Sequence, residues 1–500
     1  MTKAARIGLG LGLTVLFAFG AWLTWDFVID DAFITFRYSE HLAEGLGPVW
    51  NVGGDAVEGF TNFAWMLWHA LWSALGADLV LVAKVTSLVL GAITLVMLLR
   101  ATEGAGSVVA GLAFVLFLPT YFHANSGLET VAFAAVLLRL VIVAVRVIDE
   151  ERVFDWEPPL LLLFLGMLRP EGLLAALPAF AVWFWYSRRM PVARWTTVIA
   201  AAVGAGYFVW RWFYYGQLLP NTFYVKFGNL EAGAEWVVTT AILLAPLLLL
   251  SLALLVVAGL WFKGGLFCLT VVATWLPYAL SGPTMDYLHR FAYHVFPVLC
   301  LGAGIAVAAI GQRLAATAVG AITVGWVAVA GATAPDLPLI ANYGSDLQRA
   351  HVAIGRGLAE ADVPEDARTL AVSDAGAIPY YSDWQSIDYI GLNDEAIAHG
   401  ADPTEVVMDA RPTVLMVTSY QPGIPDRKYG LNVPVAIAGY EQVGEVRMRE
   451  EYWQNVYVLP QYAPQVRAAL APKVEEAQRT HDPGRYDLTV DRWLDRLTGR

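Results

Sequence analysis

Asp30 and Asp31 stand side by side where a long apolar run ends. The chain continues Ala-Phe-Ile-Thr-Phe-Arg37-Tyr38 and, further on, Val-Glu58-Gly-Phe-Thr61-Asn62. A carboxylate can take the proton of a hydroxyl nucleophile, and a guanidinium can hold a phosphate through two parallel N–H bonds. Four more polar segments interrupt the apolar chain: His123-Ala-Asn125-Ser-Gly-Leu-Glu129, Arg169-Pro-Glu171-Gly, Pro220-Asn221-Thr-Phe-Tyr224-Val-Lys226 and Asp286-Tyr-Leu-His289-Arg290. Each also has a plain structural reading. Asp31 can cap a helix starting at Ala32, and Glu129 can sit at a helix N-terminus where the dipole favours an acid. Arg169 can pair with Glu171 or Glu129, and Arg290 can snorkel to a membrane interface. His41, His69, His123 and His294 lack metal-ligand spacing, and Cys268 and Cys300 fall inside apolar runs. Neither a metal nor a cofactor is expected.

The elements that must position these residues are membrane helices. The chain is 57% apolar and 15% charged, with 19 Trp. Its apolar runs are long enough to cross a hydrocarbon core about 30 Å thick, and Trp suits the interfacial belts. Candidate spans are 7–28, 79–99, 106–122, 127–147, 158–168, 172–187, 194–213, 236–261, 264–281, 291–310 and 314–332, about eleven, the fifth short. The segment 60–75 is set apart. Its Trp65, Trp68 and Trp72 recur on one helical face, after a polar loop, which fits an interfacial helix. With that segment omitted, Lys3, Arg6, Arg100, Arg146, Arg152, Arg188, Arg189, Arg194, Lys263 and Arg313 fall on one side, which the positive-inside rule makes cytoplasmic. All five polar segments then gather on the extracytoplasmic face.

Residues 1–332 thus read as a membrane domain and 333–500 as an extracytoplasmic α/β domain. The second part has no long apolar run and carries 15 Lys and Arg against 25 Asp and Glu, ten of the chain's twelve net negative charges. Strands are expected at 370–373 and 413–418, helices around 344–361 and 395–408, a hairpin over 440–460 and an amphipathic helix at the end. Asp374-Ala-Gly at a strand end reads as a ligand-facing turn or a purely structural one. No phosphate-binding glycine loop is present, so nucleotide binding is not expected. A nucleic-acid partner is not expected either.

Taken in order, these motifs resemble the GT-C superfamily of integral-membrane glycosyltransferases, most nearly the mycobacterial terminal arabinofuranosyltransferases. The likeness rests on the Asp30-Asp31 segment with Glu58-Gly-Phe-Thr-Asn, on Arg169-Pro-Glu-Gly and Leu219-Pro-Asn-Thr-Phe-Tyr224, and on Ser373-Asp-Ala-Gly-Ala-Ile-Pro-Tyr380 with Asp388-Tyr-Ile-Gly-Leu-Asn393-Asp394. The resemblance implies a sugar donor on a polyprenyl phosphate and an acceptor that is a glycan, lipid or protein outside the cytoplasm. It implies inversion at the sugar carbon with Asp30 as general base and Asp31 supporting it. Arg37, Glu58, Thr61, Asn62, Glu129, Arg169, Glu171, Asn221, Tyr224, Lys226, Asp286, His289, Arg290 and Asp374 are the expected substrate contacts, with Arg290 foremost for the phosphate. The rival is a non-catalytic flippase or surface-assembly factor, and Lys84 and Arg139 are the interior charges such a path would use. The orientation is checked by single-cysteine labelling in intact cells. A Cys near Asp402 should be modified and one near Arg189 spared; the reverse pattern would invert the topology.

Overall fold

The structure is a computed structural model that describes residues 3–226, 228–421 and 423–498. Its membrane part is helical throughout because a chain in hydrocarbon must satisfy every backbone group internally. The order is α1 (Lys3–Leu23), α2 (Asp31–Ala43), α3 (Phe63–Ser73), α4 (Leu79–Ala101), α5 (Gly104–Leu116), α6 (Pro119–Asn125), α7 (Thr130–Ile148), α8 (Glu157–Leu168) and α9 (Gly172–Ser187). It continues with α10 (Pro191–Tyr215), α11 (Asn221–Lys226), α12 (Leu230–Leu243), α13 (Ala245–Ala253), α14 (Trp261–Ser281), α15 (Arg290–Tyr293), α16 (Phe296–Ala308) and α17 (Arg313–Ala332).

Among the described residues, six helices are long and apolar enough to cross a bilayer, and nine spans result if three bent pairs count as one each. The expected eleven are thus not all confirmed, and the two that fall short are α8 and α9. The bends measure 61°, 80° and 64°, and each falls at a proline near a helix start: Pro119, Pro246 and Pro297. Proline lacks the N–H that would continue the ladder and clashes with the preceding turn. The segments expected at 158–168 and 172–187 are the shorter helices α8 and α9, 12 and 16 residues long, which meet at Arg169-Pro-Glu171. Helix α3, with 11 residues, spans roughly 16 Å at 1.5 Å per residue and cannot cross. It buries Trp65 and His69 and leaves Leu67 and Leu71 exposed.

Helix α7 is the centre of the bundle, walled by α4, α8, α9 and α16. Helices α5 and α16 approach so closely that a Cβ on Gly106 would fall 2.1 Å from the Gly304 carbonyl oxygen. Small residues allow that approach, and van der Waals packing then holds the helices without a hydrophobic drive between them.

Beyond α17 the chain builds a five-stranded sheet in the order β2-β1-β3-β7-β6. Its strands are β1 (Thr369–Val372), β2 (Gln385–Asp388), β3 (Val414–Ser419), β6 (Glu441–Arg449) and β7 (Tyr452–Val458); β4 (Arg427–Lys428) and β5 (Leu431–Asn432) form a separate ribbon. β1 runs parallel to β2 and β3, whereas the β6–β7 hairpin adds antiparallel through β7. The strands at β1 and β3 and the hairpin follow the expected pattern, and β2 is an addition to it. From β1 the chain goes to β2 on one side and later to β3 on the other. The carboxyl ends of β1 and β3 therefore flank a crevice of the kind that open α/β sheets use for ligands. That edge rests on the membrane domain. The close α5–α16 packing is checked by Gly106→Ala: its melting temperature in detergent should fall by several degrees, while Gly8→Ala, with nothing within 4 Å of its Cβ, should match the parent.

Candidate active site

A cavity of about 330 Å³ opens between the membrane domain and the loop after β2. Of the expected site residues, Asp31, Thr61, Asn62, Glu129, Arg169, Glu171, Lys226 and Arg290 line it. They come from six places: the first turn of α2, the segment before α3, the N-terminus of α7, the α8–α9 joint, α11 and α15.

Glu129 organises the floor. One oxygen accepts from Arg169 Nη1 at 2.7 Å and Arg290 Nη2 at 3.2 Å, and the other from the Asn62 amide at 2.8 Å. Thr35 donates to the Asn62 carbonyl at 3.2 Å, which fixes the amide's orientation. Arg169 Nε reaches Glu171 at 2.5 Å, and the Tyr278 hydroxyl donates to the same oxygen at 2.6 Å. Both guanidiniums lie near the Phe291 ring, at 5.3 and 5.1 Å from its centroid. Two carboxylates thus balance two guanidiniums, which leaves Arg169 Nη2 and Arg290 Nη1 without hydrogen bonds among the described residues.

Asp31 and Lys226 are the remaining charges. Neither side chain has a hydrogen-bonded or ion-paired partner among the described residues. Burial raises the Asp31 carboxyl above the usual carboxylate range, against the pull of Lys226 and Arg290. Burial likewise lowers Lys226, opposed by Asp31 and aided by Arg290 and Arg169. A carboxylate with raised proton affinity, facing cations whose donors are unspent, can accept a proton next to an anion held by those cations.

The other expected contacts lie elsewhere. Asp30 does not line this cavity. It precedes α2 without capping it, and its oxygens accept from Gly376 N at 3.1 Å, Ala377 N at 2.8 Å and His351 Nδ1 at 3.3 Å. The helix starts at Asp31, one residue before the expected Ala32. Arg37 is buried and spends its guanidinium on three carbonyls, those of Trp50, Pro379 and Trp384. Glu58 forms a buried pair with Arg211, which also binds the Leu218 carbonyl at 2.8 Å and so fixes the approach to α11. Asn221 donates to the carbonyls of Gly391 at 2.6 Å and Asp394 at 3.1 Å. The Tyr224 ring lies 4.5 Å from that of His399. Asp286 accepts from Trp236 Nε1 at 2.6 Å and Phe291 N at 2.8 Å; burial pushes it up to about 7 against those bonds. His289 occupies the turn before α15 with φ +56°. Asp374 accepts from Tyr452 and Thr418, each at 2.9 Å, and from Gln454.

These displaced residues join the two domains. The loop after β2 winds around the buried Asp388, which accepts from Ile390 N at 3.0 Å and Asn393 N at 3.0 Å. Burial pushes its carboxyl up to about 6 despite those bonds. Tyr38 binds Asn393 at 3.2 Å, Asn221 holds the backbone between, and Leu392 closes the cavity wall.

Sequence reasoning missed Tyr278, Arg211 and His351. Arg211 and Tyr278 sit at the ends of apolar spans, where a lone polar group signals a buried partner; nothing local marks His351.

Residues 341–457 match a sequence family described as a domain of unknown function, DUF8728. No curated protein matches the chain. Among solved structures, the single-particle cryo-EM structure of the arabinofuranosyltransferase AftD from Mycobacteria is similar, with a TM-score of 0.50 and 14% identity. The match covers 92% of this chain and 40% of that one, so this chain spans well under half of its neighbour's length. At that identity the likeness is one of fold alone. The cavity network is checked by Glu129→Gln. Removing the charge shared by two buried guanidiniums should cost about 3–5 kcal/mol, read as a large drop in melting temperature, with Thr61→Ala near the parent.

Proposed function

We propose that this multi-pass membrane protein is a glycosyltransferase that moves a sugar from a polyprenyl phosphate to a hydroxyl of an extracytoplasmic glycan, lipid or protein. The observation that carries the reading is the meeting, in one cavity, of an Asp31 carboxylate that has no partner among the described residues with the cations Lys226, Arg169 and Arg290. Asp31, rather than the Asp30 that the motif alone suggested, is the general base. It accepts the acceptor's hydroxyl proton as that oxygen bonds to the anomeric carbon. The bond from that carbon to the phosphate oxygen breaks on the opposite face, so configuration inverts. The leaving phosphate carries its charge away without needing a proton, which is why one carboxylate suffices, unlike the two-carboxylate arrangement of glycosidases. Lys226 and the guanidiniums meet the charge that develops on it.

The likeness in fold supports this reading, and so does the placing of charge. Lys84 is tied to the Trp25 carbonyl at 2.5 Å, and Arg139 to Glu157 at 2.5 and 2.7 Å. The interior cations a flippase would use are therefore engaged, while Lys226, which has no partner among the described residues, lines the cavity.

The test is transfer from a polyprenyl-phosphate sugar by the purified chain in phospholipid vesicles, read as released polyprenyl phosphate. Asp31→Asn should lower kcat about 10²- to 10⁴-fold with the donor KM little changed. Lys226→Ala and Arg290→Lys should raise the donor KM, the latter because Lys keeps the charge and loses the fork. Near-parental turnover by a folded Asp31→Asn variant would refute the base assignment.

A further inference from the structure

The crevice between the carboxyl ends of β1 and β3 is where an α/β domain of this topology would bind a small ligand. Here it is filled from within. The backbone N–H groups of Gly376 and Ala377 point at an anion, and the anion is Asp30, supplied by the membrane domain. His351 closes the arrangement: its Nδ1 lies 3.3 Å from Asp30, and its Nε2 lies 3.0 Å from the Gln454 amide, which also donates to Asp374, and 3.7 Å from Asp374 itself. Asp374 is itself fixed at the end of β1 by Thr418 and Tyr452. The imidazole is buried, 1% exposed. Burial opposes a charge on it, yet the bond to Asp30 and the fields of Asp30 and Asp374 raise its proton affinity above the ordinary value.

We propose that His351 is a positioning residue: with Asp30, Gly376 and the Gln454–Asp374 pair it forms a carboxylate–imidazole latch that seats the C-terminal domain on the start of α2 and thereby sets the place of Asp31 in the cavity. Asp30 and Asp31 share one peptide bond, so a shift of the first carboxylate displaces the second. The fit leaves no slack. A Cβ on Gly376 would fall 2.1 Å from the Asp30 carbonyl oxygen and 2.5 Å from its carboxylate. Gly376→Ala therefore breaks the latch without removing any polar group. The consequence for catalysis rests on the role proposed above for Asp31.

The experiment uses the full chain in phosphatidylcholine–phosphatidylglycerol vesicles. Hydrogen exchange is followed at 374–382 in the parent, His351→Ala, His351→Gln and Gly376→Ala. Losing hydrogen bonds to a charged group corresponds to about ten- to hundredfold faster exchange. That acceleration is expected in His351→Ala and Gly376→Ala, with partial restoration in His351→Gln, whose amide can still donate to Asp30. In an Asp31→Cys background, the rate of thiol modification in the cavity should change at least several-fold when His351→Ala is added. This readout needs no sugar transfer. In the transfer assay, His351→Ala and Gly376→Ala should lower kcat and leave the donor KM unchanged. Unchanged exchange, or faster exchange with unaltered reactivity of the introduced thiol and unaltered kcat, would overturn the latch. Normal turnover in Asp31→Asn together with the expected exchange and labelling would overturn the base and leave the latch standing.

Discussion

A charge removed from water must be matched by its neighbours, and in this protein one carboxylate is shared by both guanidiniums of the cavity floor. Glu129 is fully buried and binds Arg169, Arg290 and Asn62 at once. It joins the N-terminus of α7 to the α8–α9 joint, to α15 and to the approach to α3. None of those elements is held in the cavity by apolar packing alone, because lipid rewards apolar contact as well as protein does. The cost of leaving a guanidinium unpaired at that depth specifies where the helices meet.

Once Glu129 and Glu171 are committed to the guanidiniums, the reactive groups are those left over. Asp31 and Lys226 line the same cavity, and neither side chain has a hydrogen-bonded or ion-paired partner among the described residues. A fixed polar surrounding of this kind supplies donors already aimed where charge will develop, so little reorganisation is needed during a reaction. The C-terminal domain is part of the same construction. It contributes Leu392 to the wall, grips α2 through Asp30 and Arg37, and is gripped in turn by Asn221 and Tyr38.

Much of this was legible in the residue pattern. The apolar runs marked the helices, the Trp spacing set α3 apart from the spans, and the polar segments carried Asp31, Glu129, Arg169, Lys226 and Arg290, which the fold gathers at one cavity. The pattern could not settle the span count, because α8 and α9, expected as spans, are only 12 and 16 residues long, and prolines at 119, 246 and 297 bend three of the others. Nor could it separate chemistry from architecture. Glu58, Arg37, Asn221 and Asp374 carry the side chains a substrate would need, yet each is consumed by a partner far away in the chain.

The sequence by itself determined that the chain is a helical membrane protein with a sheet-containing C-terminal part and a clustered set of carboxylates and cations. Those are consequences of run length, period and composition, which act over a few turns of chain. Only the tertiary structure decided which of two adjacent acids faces the cavity. Asp30 and Asp31 have the same chemistry and nearly the same local surroundings. What distinguishes them is that the N–H groups of Gly376 and Ala377, some 346 residues on, and the ring of His351 arrive on one side of the helix start. Hydrogen bonds that close so long a loop depend on the whole fold being in place, and no local pattern encodes them.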